Sequence, residues 1–233
     1  MPRRWFHAMA ALAAPIIALA IPTAPVSANP GVPVYPGMEI RQDNTVCTLG
    51  FVDLQARVAF TAGHCRGGGQ VSDRNGNFVG TQVQFRDNTP NGATVDGTHQ
   101  IADWQIIGLA PDAAVNNVLP SGRVLVTDPA VVPAPGLPVC HFGVVTGESC
   151  GTIESVNNGW FTMTNGVVSG KGDSGGPVYV LTPDGRAAII GMFNSTWGQY
   201  PAAVSWNVTS QQAREGVISA ASSNVDAMPA ALP

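Results

Sequence analysis

Short runs of β-branched and aromatic residues, each closed by Gly, Asn, Asp or Pro, recur along most of this chain. They fall at residues 45–52, 56–61, 77–85, 101–109, 122–127, 137–142, 151–156, 160–168, 177–181, 187–193 and 202–206. Runs of this length between turn residues read as strands joined by tight loops. Asn157-Asn158-Gly159 is a good hairpin turn, because Asn and Gly tolerate positive φ. Residues 209–221 are the clear helix candidate, with Thr209 or Ser210 as N-cap. The pattern predicts an all-β sandwich or barrel architecture. Composition agrees: of 233 residues, 27 are Gly and 19 Pro, and only 11% are charged. A coiled coil needs Glu, Lys, Leu and Ala at heptad spacing, and a disordered chain needs high net charge with few apolar residues; neither fits.

The net charge is −4, and Lys171 is the sole lysine. No basic run exists to displace counterions from phosphates, so no nucleic-acid partner is expected. At the N-terminus, Arg3 and Arg4 precede an apolar stretch, residues 8–21, and then Pro25-Val26-Ser27-Ala28. This is the pattern of a secretory signal peptide over residues 1–28, too short and too interrupted by Pro15 for a membrane span. Residues 29–37, with three Pro, read as an extended leader. Residues 222–233 read as a flexible tail. The expected protein is secreted, extracellular or associated with the cell envelope, monomeric, and not stably inserted in a membrane.

Four cysteines remain after residue 28: Cys47, Cys65, Cys140 and Cys150. An even number in an exported chain reads as two disulfides, for which three connectivities are open. No C-x-x-C spacing and no clustered His residues suggest a metal site, and none is expected.

Two segments carry chemistry. Thr61-Ala62-Gly63-His64-Cys65 ends a strand with a His beside a Cys, where a disulfide would fix the backbone next to a general base. In Gly172-Asp173-Ser174-Gly175-Gly176-Pro177, glycines on both sides of a Ser let the chain turn sharply and a substrate carbonyl approach closely. The amides of Gly172 and Ser174 could point into one hollow, as an oxyanion hole requires. The segment also fits G-x-S-x-G, but an α/β-hydrolase needs a His after its Ser and this chain has none. A subtilisin order fails because the strand-helix-strand pattern is missing. The order His…acid…Ser remains. The acids between His64 and Ser174 are Asp73, Asp87, Asp96, Asp103, Asp112, Asp128, Glu148 and Glu154, besides Asp173. Asp103 is distinguished by leading into an apolar strand, Trp104-Gln105-Ile106-Ile107, where a carboxylate can be buried.

These motifs resemble those of the chymotrypsin-like serine proteases, in particular the extracellular bacterial branch of alpha-lytic protease and the streptogrisins. The match comprises the His64 and Ser174 segments, Asp103 before its apolar run, and Val139-Cys140-His141-Phe142-Gly143 with Thr146-Gly147-Glu148-Ser149-Cys150-Gly151. It spans roughly residues 47–214. The resemblance implies two antiparallel six-stranded β-barrels packed face to face, at residues 38–115 and 116–208, with a short C-terminal helix. It implies the pairing Cys47–Cys65 and Cys140–Cys150. It implies a catalytic triad of His64, Asp103 and Ser174, an oxyanion hole of Gly172 and Ser174, and no cofactor. Three features depart from the family: no cleavable Ile-Val amino terminus, no long pro-domain before the first strand, and no third disulfide beside the Ser loop.

The implied activity is that of a secreted serine endopeptidase acting on polypeptides through an acyl-enzyme. The alternatives are a peptide- or protein-binding member of the fold with little turnover, and an esterase. In trypsin-like members an Asp lies six residues before the nucleophile; here Val168 does, followed by Ser169, so a basic substrate side chain would stay unpaired. With Phe193, Asn194 and Ala202 as further pocket walls, the expected preference is for small or medium apolar side chains. Finally, Asp173 should be buried. Bacterial relatives support it with an Arg directly after the first Cys of the second disulfide loop, where this chain has His141. His141 is therefore expected to pair with Asp173 and to have a raised pKa.

Overall fold

A computed structural model describes residues 31–90 and 96–226, with side chains described as far as residue 216. The signal peptide expected at residues 1–28 lies outside the described residues; the flexible tail expected at 222–233 is instead helical as far as Asp226 and lies outside the described residues beyond it. Among the described residues, sixteen strands precede one α-helix. In chain order they are β1 (Pro33–Val34), β2 (Glu39–Gln42), β3 (Thr45–Thr48), β4 (Phe51–Asp53), β5 (Val58–Thr61), β6 (Gln70–Asp73), β7 (Phe78–Asp87) and β8 (Asp103–Leu109). There follow β9 (Ala114–Val115), β10 (Leu125–Thr127), β11 (Pro138–Gly143), β12 (Gly147–Val156), β13 (Trp160–Thr164), β14 (Pro177–Leu181), β15 (Ala187–Trp197), β16 (Tyr200–Ser205) and α1 (Trp206–Asp226).

The first large sheet has the order β3-β2-β6-β7-β8-β5-β4. Because β3 and β4 are one run bent at Leu49-Gly50, the sheet curls into six strands. The second has the order β10-β15-β14-β11-β12-β13-β16, and β15 also pairs with β16, which closes a ring of six. Here β10 is an addition, lying parallel to β15 with Leu125 opposite Ala187. The two-barrel expectation thus holds, with one parallel strand pairing that strand-run reading does not reveal. The leader is also structured in part: β1 pairs in parallel with β9, inside the connection between the barrels.

Three apolar clusters organise the packing. One fills the first barrel with Ile40, Leu49, Val71, Val79 and Ile107. One fills the second with Ile153, Phe161, Met163, Val178 and Ile190. The third joins the barrels through Phe51, Phe60, Trp104, Tyr179, Met192 and Trp206. Each such side chain contributes about 1.5–3 kcal/mol by leaving water. The helix begins at Trp206, three residues before the first position its sequence pattern suggests, and that Trp rests on Phe51 and Phe60 with ring centroids 4.8 and 5.1 Å away. Gln212 Oε1 accepts from the buried Trp104 Nε1 at 2.8 Å. The helix leaves the second barrel and clamps onto the first. Cys47 is bonded to Cys65, and Cys140 to Cys150.

Candidate active site

Strand pairing brings the first two candidate residues together. β5 and β8 run antiparallel with Thr61 opposite Gln105, so the turn after β5 lies beside the first residue of β8. His64 sits in that turn, a 3-10 helix at Gly63–Cys65 tied by Cys65 to β3. Asp103 opens β8 and is wholly buried. Its Oδ1 accepts the His64 backbone N–H at 2.8 Å, and its Oδ2 accepts Nδ1–H of the imidazole at 2.7 Å. Two bonds to one carboxylate fix both the position and the rotation of the ring. They also leave Nε2 as the proton acceptor. Burial pulls the His64 pKa down, but the hydrogen bond and charge of Asp103, with Asp87 farther off, more than offset it, so the net shift is upward from 6.5.

Ser174 lies in the loop leading into β14 and faces the same cleft as His64. The first barrel holds this loop through one residue. The Thr48 N–H donates to Ser174 O at 2.8 Å, and its hydroxyl donates to Gly172 O at 2.9 Å. The same hydroxyl accepts from Val144 N at 3.0 Å. On the other side Gly175 N donates to Phe193 O at 2.8 Å. Gly172 has a φ of +112°, where any side chain would be strained. With the Gly172 and Ser174 carbonyls bonded to Thr48 of the first barrel, the loop is braced on its far side, and the Gly172 and Ser174 amides are the candidate donors towards the cleft.

Asp173 is buried as expected, but the partner expected for it is wrong. Its Oδ1 accepts from Val145 N at 2.8 Å and Thr146 N at 3.2 Å. Its Oδ2 accepts from Gly170 N at 2.7 Å and Thr146 Oγ1 at 2.8 Å. Three of the donors come from the tip of the β11–β12 hairpin, which reaches over the loop, and the fourth, Gly170 N, from the loop itself. A Cβ on Gly143, the last residue of β11, would collide with the Asp173 carboxylate, so glycine at that position admits the acid. His141 makes no ion pair with Asp173. It lies buried against Phe193, ring centroids 4.9 Å apart, with Nδ1 3.3 Å from Pro177 O and no partner for Nε2. Burial lowers its pKa to about 4, against the opposing influence of Asp173 and of the Pro177 carbonyl. The expected upward shift is reversed because the imidazole is dry and its acid neighbour is already satisfied.

The cleft has a volume of about 400 Å³ and is lined by His64, Thr89, Ser169, Gly170, Lys171, Ser174 and Phe193–Thr196. Ser169, Phe193 and Asn194 line it as expected; Val168 and Ala202 do not. Val168 is turned outwards and half exposed, its N–H bound to Ser149 Oγ at 3.1 Å. Ala202 is buried within the sheet, opposite Thr162 and Ser195. Asn194 has a second function that the sequence does not disclose. Its Nδ2 donates to Asp103 Oδ2 and, at 3.3 Å, to Thr89 Oγ1. A larger hollow of about 1030 Å³ lies elsewhere, by Phe51, Phe60, Ile106, Trp206 and Ala213. It contains neither His64 nor Ser174.

Comparison with known proteins gives two kinds of likeness. The chain is 59% identical over 197 residues to the uncharacterized proteins MT1863 and Rv1815 of Mycobacterium tuberculosis, strains CDC 1551 / Oshkosh and ATCC 25618 / H37Rv, covering 84% of this chain and 89% of each relative. Among solved structures it is similar to a glutamic acid specific serine protease described as using a histidine triad in substrate binding (TM-score 0.56, 20% identity, 78% of this chain and 98% of the other). It is also similar to Protease A of Thermobifida fusca (TM-score 0.54, 22% identity, 79% and 97%). No protein-family model matches the chain. The structural neighbours are bacterial chymotrypsin-like serine proteases, and this chain has their fold.

Proposed function

We propose that this chain, which belongs to the family of the mycobacterial proteins MT1863 and Rv1815, is a secreted serine endopeptidase with His64, Asp103 and Ser174 as its triad. The observation that carries this reading is the doubly bonded His64–Asp103 pair facing the same cleft as Ser174. A histidine held by a buried carboxylate and sharing a cleft with a glycine-flanked serine supplies the groups acyl transfer requires.

In the proposed reaction Ser174 Oγ attacks a peptide carbonyl carbon and its proton passes to His64 Nε2. Asp103 stabilises the imidazolium. The Gly172 and Ser174 amides receive the charge that develops on the carbonyl oxygen. Collapse breaks the C–N bond, and the proton on His64 goes to the departing amine, leaving Ser174 acylated. A water that gives its proton to His64 then hydrolyses the ester and regenerates the serine. Two disulfides support folding in an oxidising compartment, and no helix among the described residues is long and apolar enough to cross a membrane. The histidine triad described for the structural neighbour is not carried over: of the described histidines only His64 lines the cleft.

The test is labelling of the folded mature chain with a fluorophosphonate. Labelling that disappears in Ser174→Ala and in His64→Ala supports the reading, and casein cleavage with the same dependence supports a peptidase over an esterase. Absence of labelling on folded protein would refute a hydrolase and favour a binding protein.

A further inference from the structure

We propose that the cleft selects a substrate residue bearing a carboxylate immediately before the scissile bond, with Lys171 as the residue that determines this preference. The inference rests on the hydrolase reading and deepens it.

Three observations lead to it. First, the cleft is lined by five hydroxyl side chains, those of Thr89, Ser169, Ser174, Ser195 and Thr196, with Phe193 as its one large apolar side chain. Ser169 Oγ lies 3.3 Å from Thr196 Oγ1, joining the strand-end segment before Ser174 to the end of β15. An apolar side chain entering here would strip water from these hydroxyls and meet only Phe193 in return. This replaces the apolar preference that Phe193 and Ala202 suggest: Phe193 is nearly buried behind His141's ring, and Ala202 is inside the sheet.

Second, the lining residues include no Asp or Glu, and the charged ones are Lys171 and, when protonated, His64. Asp103 is buried and bound by three donors, from His64 and Asn194. The carboxylate of Asp173 is likewise filled. Asp87, on the neighbouring strand, is paired with Arg66 at 2.7 Å. A cationic substrate group would find no counter-charge at this surface. An anionic one would find an ammonium.

Third, Lys171 makes no salt bridge among the described residues. It is exposed, three residues before Ser174 and two after Ser169. Its ammonium, on a flexible stem, is thereby free to close over a carboxylate whose oxygens meet the Ser169 and Thr196 hydroxyls.

The experiment uses peptides identical except for Glu, Gln, Leu or Lys before the cleaved bond. They are assayed on wild type, Lys171→Met, Lys171→Arg and Ser169→Ala, each at a concentration fixed by fluorophosphonate titration of Ser174. Wild type should favour Glu over Gln by roughly 5- to 20-fold in kcat/KM, and the ratio should fall as salt rises. Lys171→Met should bring the Glu/Gln ratio close to one, and Lys171→Arg should restore most of it. Ser169→Ala should lower the rates for Glu and Gln relative to Leu. Labelled enzyme that cleaves Gln or Leu peptides as well as Glu, or a Glu preference that survives Lys171→Met, overturns this inference and leaves the hydrolase reading standing. A wild-type chain that is not labelled overturns both.

Discussion

Asn194 and His64 share one acceptor: both donate to Oδ2 of Asp103, the amide from within the second barrel and the imidazole from the first. The carboxylate that aims His64, the proposed general base, is therefore itself held by a residue of the opposite barrel. Hydrogen bonds to charged groups contribute about 1.5–3 kcal/mol. Asn194→Ala should accordingly lower kcat about 10- to 100-fold, with Asn194→Ser less severe. Steady-state kinetics alongside thermal melts would separate this from unfolding, which would reduce the active fraction rather than kcat per titrated site.

In the proposed reaction His64 acts as a neutral base, and, against the lowering effect of burial, Asp103 holds its pKa above the usual histidine value of 6.5. The kcat/KM of wild type should therefore fall as pH drops through a value higher than 6.5. In Asp103→Asn the upward influence is lost, so the acidic limb should move to lower pH while the plateau drops on the order of 10⁴-fold. The pair also favours folding at pH values below the unfolded pKa of His64, and that contribution fades as pH rises through the folded one. A pH–rate profile of both proteins checks the direction.

His141 behaves in the opposite way. Its folded pKa is lowered to about 4, so between pH 6.5 and 4 the unfolded chain binds a proton that the folded one does not. Stability should fall with acidification in that window, by up to about 1.4 kcal/mol per pH unit from this residue. In His141→Leu this part of the slope should vanish. Denaturant titrations at pH 7, 6, 5 and 4 would show it, and parallel slopes in the two proteins would contradict it.

Thr48 braces the nucleophile loop without lining the cleft. Thr48→Val keeps the shape and removes the hydroxyl, leaving Gly172 O and Val144 N without this partner. The expected loss is about 1–3 kcal/mol of stability and a kcat reduced by up to about 100-fold, approaching the cost of an oxyanion donor. A variant that melts lower yet keeps full kcat would show that the loop holds its shape unaided.

Replacing Cys47 and Cys65 together by Ser should cost about 3 kcal/mol. It should also loosen the Gly63–Cys65 turn that carries His64. Matching the single-turn labelling rate of wild type at a temperature where both are folded would remove the catalytic part of this prediction.

Much of this molecule could be read from its residues because the signals are local. Pro177–Leu181 begins and ends where its apolar run does, and the long apolar run after Asp103 is β8. Four strands escaped that reading. β1 and β9 are only two residues long, and β2 and β6 mix polar with apolar positions over four, so their pairing comes from neighbours distant in sequence. The failure at His141 has the same root. Its burial, and the arrival of Val145 and Thr146 at Asp173, depend on how the β11–β12 hairpin folds over another loop, which position relative to Cys140 does not encode. Thr48 and Asn194 carry no local mark either: each acts through a contact about 90 to 125 positions away.

The hairpin tip at Asp173 bears on when such a protein becomes competent. In the animal members of the family that the motifs resemble, the equivalent acid waits for a cation that proteolysis must create. Here backbone amides and a threonine hydroxyl, all part of the same barrel, saturate both oxygens. A carboxylate so solvated by its own chain needs neither a liberated amino terminus nor an arginine. The oxyanion loop would take its shape at the moment of folding, and any restraint on activity would have to act by covering the cleft rather than by withholding its geometry.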